Sequence, residues 1–422
     1  MNTIRAFSIL LILLLSGSLL RAAPEKEINW EEEIAGLGRE LAARHADLFF
    51  ATDSASFYRD LSRVADKARG KSVLEVGIML QQVVAGLGDA NTAVNYHFLI
   101  DKSLILPFEC YWFEDGLHVL NYWEDYESLA GKRIISINNF PVQQVIDSLS
   151  TLISGATPAL VRNSIPMMIT WSQLLQYFGF SDQSRFEIEA GNPGEESARV
   201  LIVLPSVESE HVSVGPDPLP LGWQDTKVFF RDRYFPADKL YYIQYNKCWS
   251  REAEEDFGSG ASALFMPSFK EFEKEALKAA RKKEIEKLVL DLRYNNGGNP
   301  LQGTSFIRKM KKTGIDKRAK VYLIVGRKTV AAAIINAVDV MKTFNPVVVG
   351  ENTGGKPNHF GEVHRFVLTT SNLVVSYSTK YFTLLEEDPP TLMPDIQAPD
   401  KFKEYMQGRD PAMEAIRENK PW

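Results

Sequence analysis

At 422 residues, 45% of them apolar and 24% charged, the chain holds enough core material for two or three domains of ordinary size. Its net charge of −6 offers no basic face to a polyanion, so nucleic acid is excluded as a partner. Two cysteines, Cys110 and Cys248, and six histidines show no metal-ligand spacing, so neither a metal nor any other cofactor is expected, and both thiols are expected unpaired and buried.

The chain opens as an export signal over residues 1–23. Arg5 gives a positive start, Ile9 to Leu15 is an unbroken apolar run, and Ala22 and Ala23 offer small residues for cleavage before Pro24. The run is short against the about 20 residues of a spanning helix. A periplasmic or extracellular protein is therefore expected, with no stable membrane insertion after signal cleavage.

Residues 24–100 read as a helical segment. Ser72 and Glu75 are spaced as a capping box, and Val73, Val76, Leu80, Val83 and Leu87 recur at steps of three and four as one buried stripe ending at Gly88. Over 104–205 the texture changes to short β-like runs, 117-LHVLNYW, 133-RIISINN, 185-RFEIEA and 199-RVLIVLP, around a helix near 142-VQQVIDSLSTLI. The stretch 206–239, rich in Gly, Pro and acidic residues at its start, reads as a linker or long loop. From 240 to 422 strands such as 241-YYIQY, 288-LVLDLR, 321-VYLIVG and 346-PVVVG alternate with helices such as 268-SFKEFEKEALKAARKKE and 330-VAAAIINAVDVM. That order predicts a mostly parallel sheet with crossover helices, whose ligands sit beyond the carboxyl ends of the strands.

Three segments follow such strand ends. In 288-LVLDLRYNNGGN, Asp291 and Arg293 need partners inside a buried strand, and Asn295 to Gly298 form a turn whose amides suit an oxyanion. Alone, it reads as a plain β–α turn. In 326-GRKTVAAAIINAV, a sharp strand-to-helix turn can present a nucleophile, yet Ala331, Ala332 and Ala333 fill the place and also permit close helix–sheet packing. In 350-GENTGGKPNHFGEVHRF, Lys356 sits in a Gly-rich turn. It is a base only where burial and neighbours lower its pKa, and otherwise an ordinary surface lysine.

Together, in this order, the segments resemble the tail-specific (C-terminal-processing) serine peptidase family, with tricorn and the interphotoreceptor retinoid-binding proteins as relatives. The family's Asp-Leu-Arg-x-Asn-x-Gly-Gly motif stands here as Asp291, Leu292, Arg293, Tyr294, Asn295, Asn296, Gly297 and Gly298. Its nucleophile turn falls on Thr329, Val330 and Ala331. Lys356 follows Ala331 by 25 residues, the spacing of the family's lysine base. The N-terminal 87-LGDANT is similar to Leu-Gly-Asp-x-His-Thr with Asn91 in the histidine's place, and 128-SLAGKRIISINNFPVQQV is similar to the family's PDZ-like domain. The tail 380-KYFTLLEEDPPTLMPDIQAPD and 409-RDPAMEAI are similar to its closing segment.

The resemblance implies an N-terminal helical segment, a PDZ-like domain at 104–205 and a C-terminal α/β peptidase domain at 240–422. It implies oxyanion donors at Gly297, Gly298 and Ala332, and a general base at Lys356. The departures point to lost catalysis. Ala331 has no hydroxyl, Asn91 cannot titrate, and Phe360 stands where many lysine-branch members carry glutamine. Thr329 and Thr353 are nearby hydroxyls without the family's placement.

The implied function is an exported homologue, catalytically impaired, that binds extended peptides or unfolded protein segments, C-termini among them. Strand addition to a sheet edge is one way to hold them. The alternatives are an active serine-type peptidase with a relocated nucleophile and a PDZ-type interaction scaffold.

Overall fold

The computed structural model describes residues 28–206 and 209–419, so the export signal read at 1–23 lies outside the described residues. Among the described residues no helix is long and apolar enough to cross a membrane.

The apolar runs of the last part form one six-stranded sheet. Its order is Ile396–Gln397, Val347–Gly350, Lys320–Val325, Lys287–Asp291, Leu240–Tyr245 and Phe230–Phe235. All neighbours are parallel except the last pair. Every residue of Leu240–Tyr245 and Lys287–Asp291 is buried, because helices cover both faces. Helices Phe269–Lys282, Leu301–Lys312 and Ala332–Phe344 pack on one face through Leu277, Phe306, Ile334 and Val338. Helix Pro411–Glu418 covers the other with Met413 and Ile416 against Tyr242 and Tyr322.

The expected α/β architecture with a β-rich part is present. Phe230–Phe235 falls inside 206–239, the stretch read as a linker, and so does His211–Ser213, which joins a second sheet. That reading is corrected here: the Gly and Pro of the first half hid the alternation of Phe230, Asp232 and Tyr234 with charged neighbours, which is an edge-strand pattern.

The middle of the chain makes two small antiparallel sheets, Phe108–Phe113, Gly116–Trp123 and His211–Ser213, and Phe140–Pro141, Ile134–Ile137, Arg185–Ala190 and Ala198–Val203. They share one core with helices Val142–Ser150 and Pro158–Met168. Phe108–Phe113 is an edge strand, and helix Pro158–Met168 lies beside it.

The N-terminal helices Trp30–Arg44, Ser54–Lys67 and Val73–Ala85 form with the expected capping box at Ser72 and Glu75. They do not close a core by themselves. Leu37, Leu61 and Leu80 pack with Leu373, Val375 and Tyr377 of the hairpin His359–Val367 and Val374–Phe382. Ala93–Val94 adds a short strand to that hairpin. Glu33 accepts from Thr370 N at 2.6 Å and from the Ser371 hydroxyl at 3.0 Å, tying the first helix to the hairpin's turn.

Candidate active site

Asp291 and Arg293 find their partners in each other and in the C-terminal helix. Arg293 Nε lies 2.9 Å from Asp291 Oδ2, and its two terminal nitrogens reach Asp410 Oδ1 and Oδ2 at 2.9 and 3.1 Å. Asp410 is also the N-cap of helix Pro411–Glu418. The charged pair of the motif therefore anchors the strand end and leaves chemistry to the turn that follows.

In that turn Asn295 spends its amide on Tyr245 O at 2.9 Å and accepts Gly297 N at 3.0 Å. Gly297 and Gly298 take φ 98° and 128°. A Cβ on Gly297 would lie 3.0 Å from Ala331 Cβ and 3.3 Å from Ala332 N, so a bare backbone is needed for the two turns to meet. Gly297 thus departs from its expected role as an oxyanion donor, because its amide is already committed to Asn295. Among the described residues the amides of Gly298 and Ala332 have no hydrogen-bond partner.

Strand Lys320–Val325 leads through Gly326 into the second turn. Thr329 locks it: the hydroxyl donates to Leu292 O at 2.8 Å and accepts from Gly326 N at 3.0 Å. Ala331 caps helix Ala332–Phe344 at φ 50° and ψ −125°, a region that strains any residue bearing a Cβ. The side chain on this strained backbone is a methyl group.

Ala331, Asn91 and Lys356 line one cavity of about 270 Å³. Lys356 is 37% exposed, with Nζ 3.5 Å from Asp388 Oδ2. It lacks the burial that a lysine base requires. Asn91 donates through Nδ2 to Phe360 O at 2.7 Å and so clips the N-terminal loop to the hairpin. Phe360 is buried among His45, Phe50 and Tyr381, ring centroids 4.6 to 4.9 Å away, and makes an aromatic wall.

Beside Asn91, burial alone would push the Asp89 carboxyl up. Hydrogen bonds from His45, Ser378, Thr92 and the Asn91 amide outweigh it and hold the group below the ordinary range.

Sequence reading missed His359, which lines the same cavity. Its Nδ1 is 3.0 Å from Pro357 O, so the proton belongs there and Nε2 keeps its lone pair. Burial pushes its pKa below the ordinary imidazole value. A single histidine in a Gly- and Pro-rich turn, with no paired spacing, carried no signal.

Two other nucleophilic side chains near the turns are engaged in internal hydrogen bonds. Thr353 donates to Gly355 O at 2.7 Å. Cys248 is buried, bonded to Asn295 and Asn336, and its thiol is pushed up to about 12. Cys110 is free and only partly buried.

No family model matches the chain, and no curated protein matches it. Among solved structures, mature CPAF complexed with lactacystin superposes at a TM-score of 0.62, covering 92% of this chain and 97% of that one at 11% identity. The chain has the CPAF fold. A second structure of mature CPAF gives 0.59, with 92% and 96% covered at 12% identity. A photosystem II D1 C-terminal processing protease overlaps more loosely, at 0.39 and 13% identity over 92% of this chain and 99% of that one. The CPAF fold fits the sequence's resemblance to the tail-specific peptidases.

Proposed function

We propose that the protein is an exported, catalytically silenced relative of the tail-specific serine peptidases. It holds extended peptides or unfolded protein segments, C-termini among them, across the cavity beside Ala331. The observation that carries the reading is Ala331 itself. A strained nucleophile turn, the unspent amides of Gly298 and Ala332 and a shaped cavity surround a side chain without a hydroxyl.

In this reading residues 104–205 act as a PDZ-like domain whose free strand edge takes part of the ligand. Residues 240–422 supply the peptidase-like cleft, and the mature chain works in the periplasm or outside the cell. The aromatic wall of Phe50, Phe360 and Tyr381 favours an apolar ligand side chain at the turn. A relocated nucleophile has no support, since Thr329, Thr353 and Cys248 are all engaged in internal hydrogen bonds.

The test is to present the purified chain with unfolded protein and with labelled peptides bearing free C-termini, reading binding and cleavage separately. Binding without cleavage is expected. Robust cleavage by the wild type would overturn the silenced reading, and absence of any peptide binding would leave only an interaction scaffold.

A further inference from the structure

The net charge of −6 conceals one strongly basic face. Residues 278–287 and 308–320 together hold twelve lysines and arginines against three carboxylates, Glu284, Glu286 and Asp316. The first stretch runs off the end of helix Phe269–Lys282 and the second off the end of helix Leu301–Lys312. Each leads into the start of a parallel strand, where Lys287 and Lys320 are register partners. Arg318 donates to Lys283 O at 3.2 Å and to Ala280 O, and Lys320 N donates to Glu286 O at 2.9 Å. Two stretches apart in sequence thus make one surface.

The three carboxylates are all engaged. Lys239 holds Glu284 and Glu286, both at 2.7 Å, and Lys311 holds Asp316 at 2.6 Å. Lys278 and Lys309 pair with Glu275 and Glu273 on the flank of the first helix. Lys287 donates to Ile416 O and Arg417 O at 2.7 and 2.8 Å, at the end of helix Pro411–Glu418. Arg281, Lys282, Arg308, Lys312 and Lys317 are left exposed, with no ion pair or hydrogen bond among the described residues. Cations at helix carboxyl ends ordinarily answer the macrodipole, but two such ends offer only roughly −0.5 charge each. Five free cations exceed that, and the complement such a field selects is an external polyanion.

The kind of polyanion follows from the residues. Nine of the twelve cations are lysines, hydrated point charges on flexible stems rather than planar forks. Neither stretch contains an aromatic residue on which a nucleic-acid base could stack. Their large apolar residues, Ile285, Met310 and Ile315, are buried and offer nothing to insert into hydrocarbon. Diffuse charge without an apolar anchor matches the headgroup plane of an anionic bilayer.

We propose that this end of the α/β unit docks on a membrane surface rich in anionic phospholipid, through charge alone. The strand starts lie here, whereas the turns carrying Gly297 and Ala331 follow strand ends, so the cleft is turned away from that membrane. Strand Lys320–Val325, at about 3.3 Å per residue, holds the two apart. The proposal does not depend on the peptide-holding reading.

Co-sedimentation of the full mature chain with vesicles tests it, comparing phosphatidylcholine alone with a mixture of phosphatidylcholine and phosphatidylglycerol. At about 0.1 M salt, binding to the mixture is expected to be about tenfold or more tighter. At about 1 M salt, where the screening length falls from about 10 to about 3 Å, the difference should vanish. Lys282→Gln, Lys312→Gln and Lys317→Gln together should remove most of the preference. Lys67→Gln, Arg69→Gln and Lys227→Gln make the same change in net charge at exposed cations elsewhere and should leave it intact. Hydrogen exchange on the anionic vesicles should slow at 308–318 and stay unchanged at 295–299.

The wild-type lipid and salt comparisons stand even if a triple variant fails to fold. Equal binding to the two kinds of vesicle overturns the docking face, and so do equal losses in the two triple variants. Tighter binding to a duplex oligonucleotide than to the anionic vesicles overturns the lipid occupant. Salt-sensitive dimerisation without lipid, abolished in the Lys282, Lys312 and Lys317 variant, overturns it in favour of a second copy of the chain.

Discussion

At the scale of single residues, Ala331 holds a backbone that its side chain does not favour. Positive φ away from the helical regions costs of order 1–3 kcal/mol for a residue with a Cβ, less what glycine loses through a freer unfolded chain. Ala331→Gly is therefore expected to stabilise the protein by about 1 kcal/mol in urea denaturation, where a loss would show that the methyl group packs usefully.

Ala331→Ser supplies the missing hydroxyl, and slow hydrolysis of bound peptide should follow. His359 is the better base, because Lys356 is exposed and paired with Asp388. Burial lowers its pKa, so the imidazole stays neutral to lower pH than a free one. The rate of the variant should fall off only at more acidic pH than a free imidazole would impose, and vanish in the His359→Ala double variant. A rate that climbs into the alkaline range and depends on Lys356 would return the role to the lysine.

Asp400 gives a third expectation. It accepts the Tyr111 hydroxyl at 3.0 Å, and burial pushes it up to about 6, the nearby guanidinium groups notwithstanding. A carboxyl raised above its unfolded value is protonated only in the folded state between about pH 4 and 6, so stability falls as pH rises through that window. Asp400→Asn should then raise Tm at pH 7–8 and converge with the wild type near pH 4.

At the scale of elements, the anchor of the C-terminal helix is the most sensitive point. Arg293 is buried between Asp291 and Asp410, and Gly222 N adds a 2.8 Å bond to Asp410. Burial raises the Asp410 carboxyl and Arg293 more than reverses it. Arg293→Met strands two carboxylates inside the protein and is expected to cost about 3–5 kcal/mol, with early loss of amide protection in Pro411–Glu418.

The need for such partners was legible in the sequence, since an aspartate and an arginine stood in an apolar strand. The partner, 117 residues on, was not. Four of the five parallel strands were legible because each is a largely apolar run bounded by turn residues; Ile396–Gln397 is too short to carry such a signal. Phe230–Phe235 was hidden behind a Gly- and Pro-rich approach, and the hairpin His359–Val367 and Val374–Phe382 became meaningful only through distant helices. At the site, the glycine turn and the alanine at its neighbour could be read from spacing. His359 could not, because a side chain's surroundings are set by segments far away in the chain.

At the scale of the whole molecule, the first helices and the late hairpin are one packing unit. Leu37, Leu61 and Leu80 lie against Leu373 and Val375, and the cavity beside Ala331 draws its walls from both ends of the chain. A fragment of residues 28–100 should accordingly show little cooperative unfolding by circular dichroism, and adding a 359–382 peptide in excess should increase its helicity. A fragment that melts as sharply as the full chain would separate the two.

The same arrangement sets an order of events during synthesis. Asp89 waits 289 residues for the Ser378 hydroxyl. At the about 5–20 residues per second of a ribosome, that is roughly 15–60 s in which the helices' apolar faces have no cover. Under the export proposed above, the chain would meet its carriers in that state, with the cavity beside Ala331 unformed until nearly the last segment has been made.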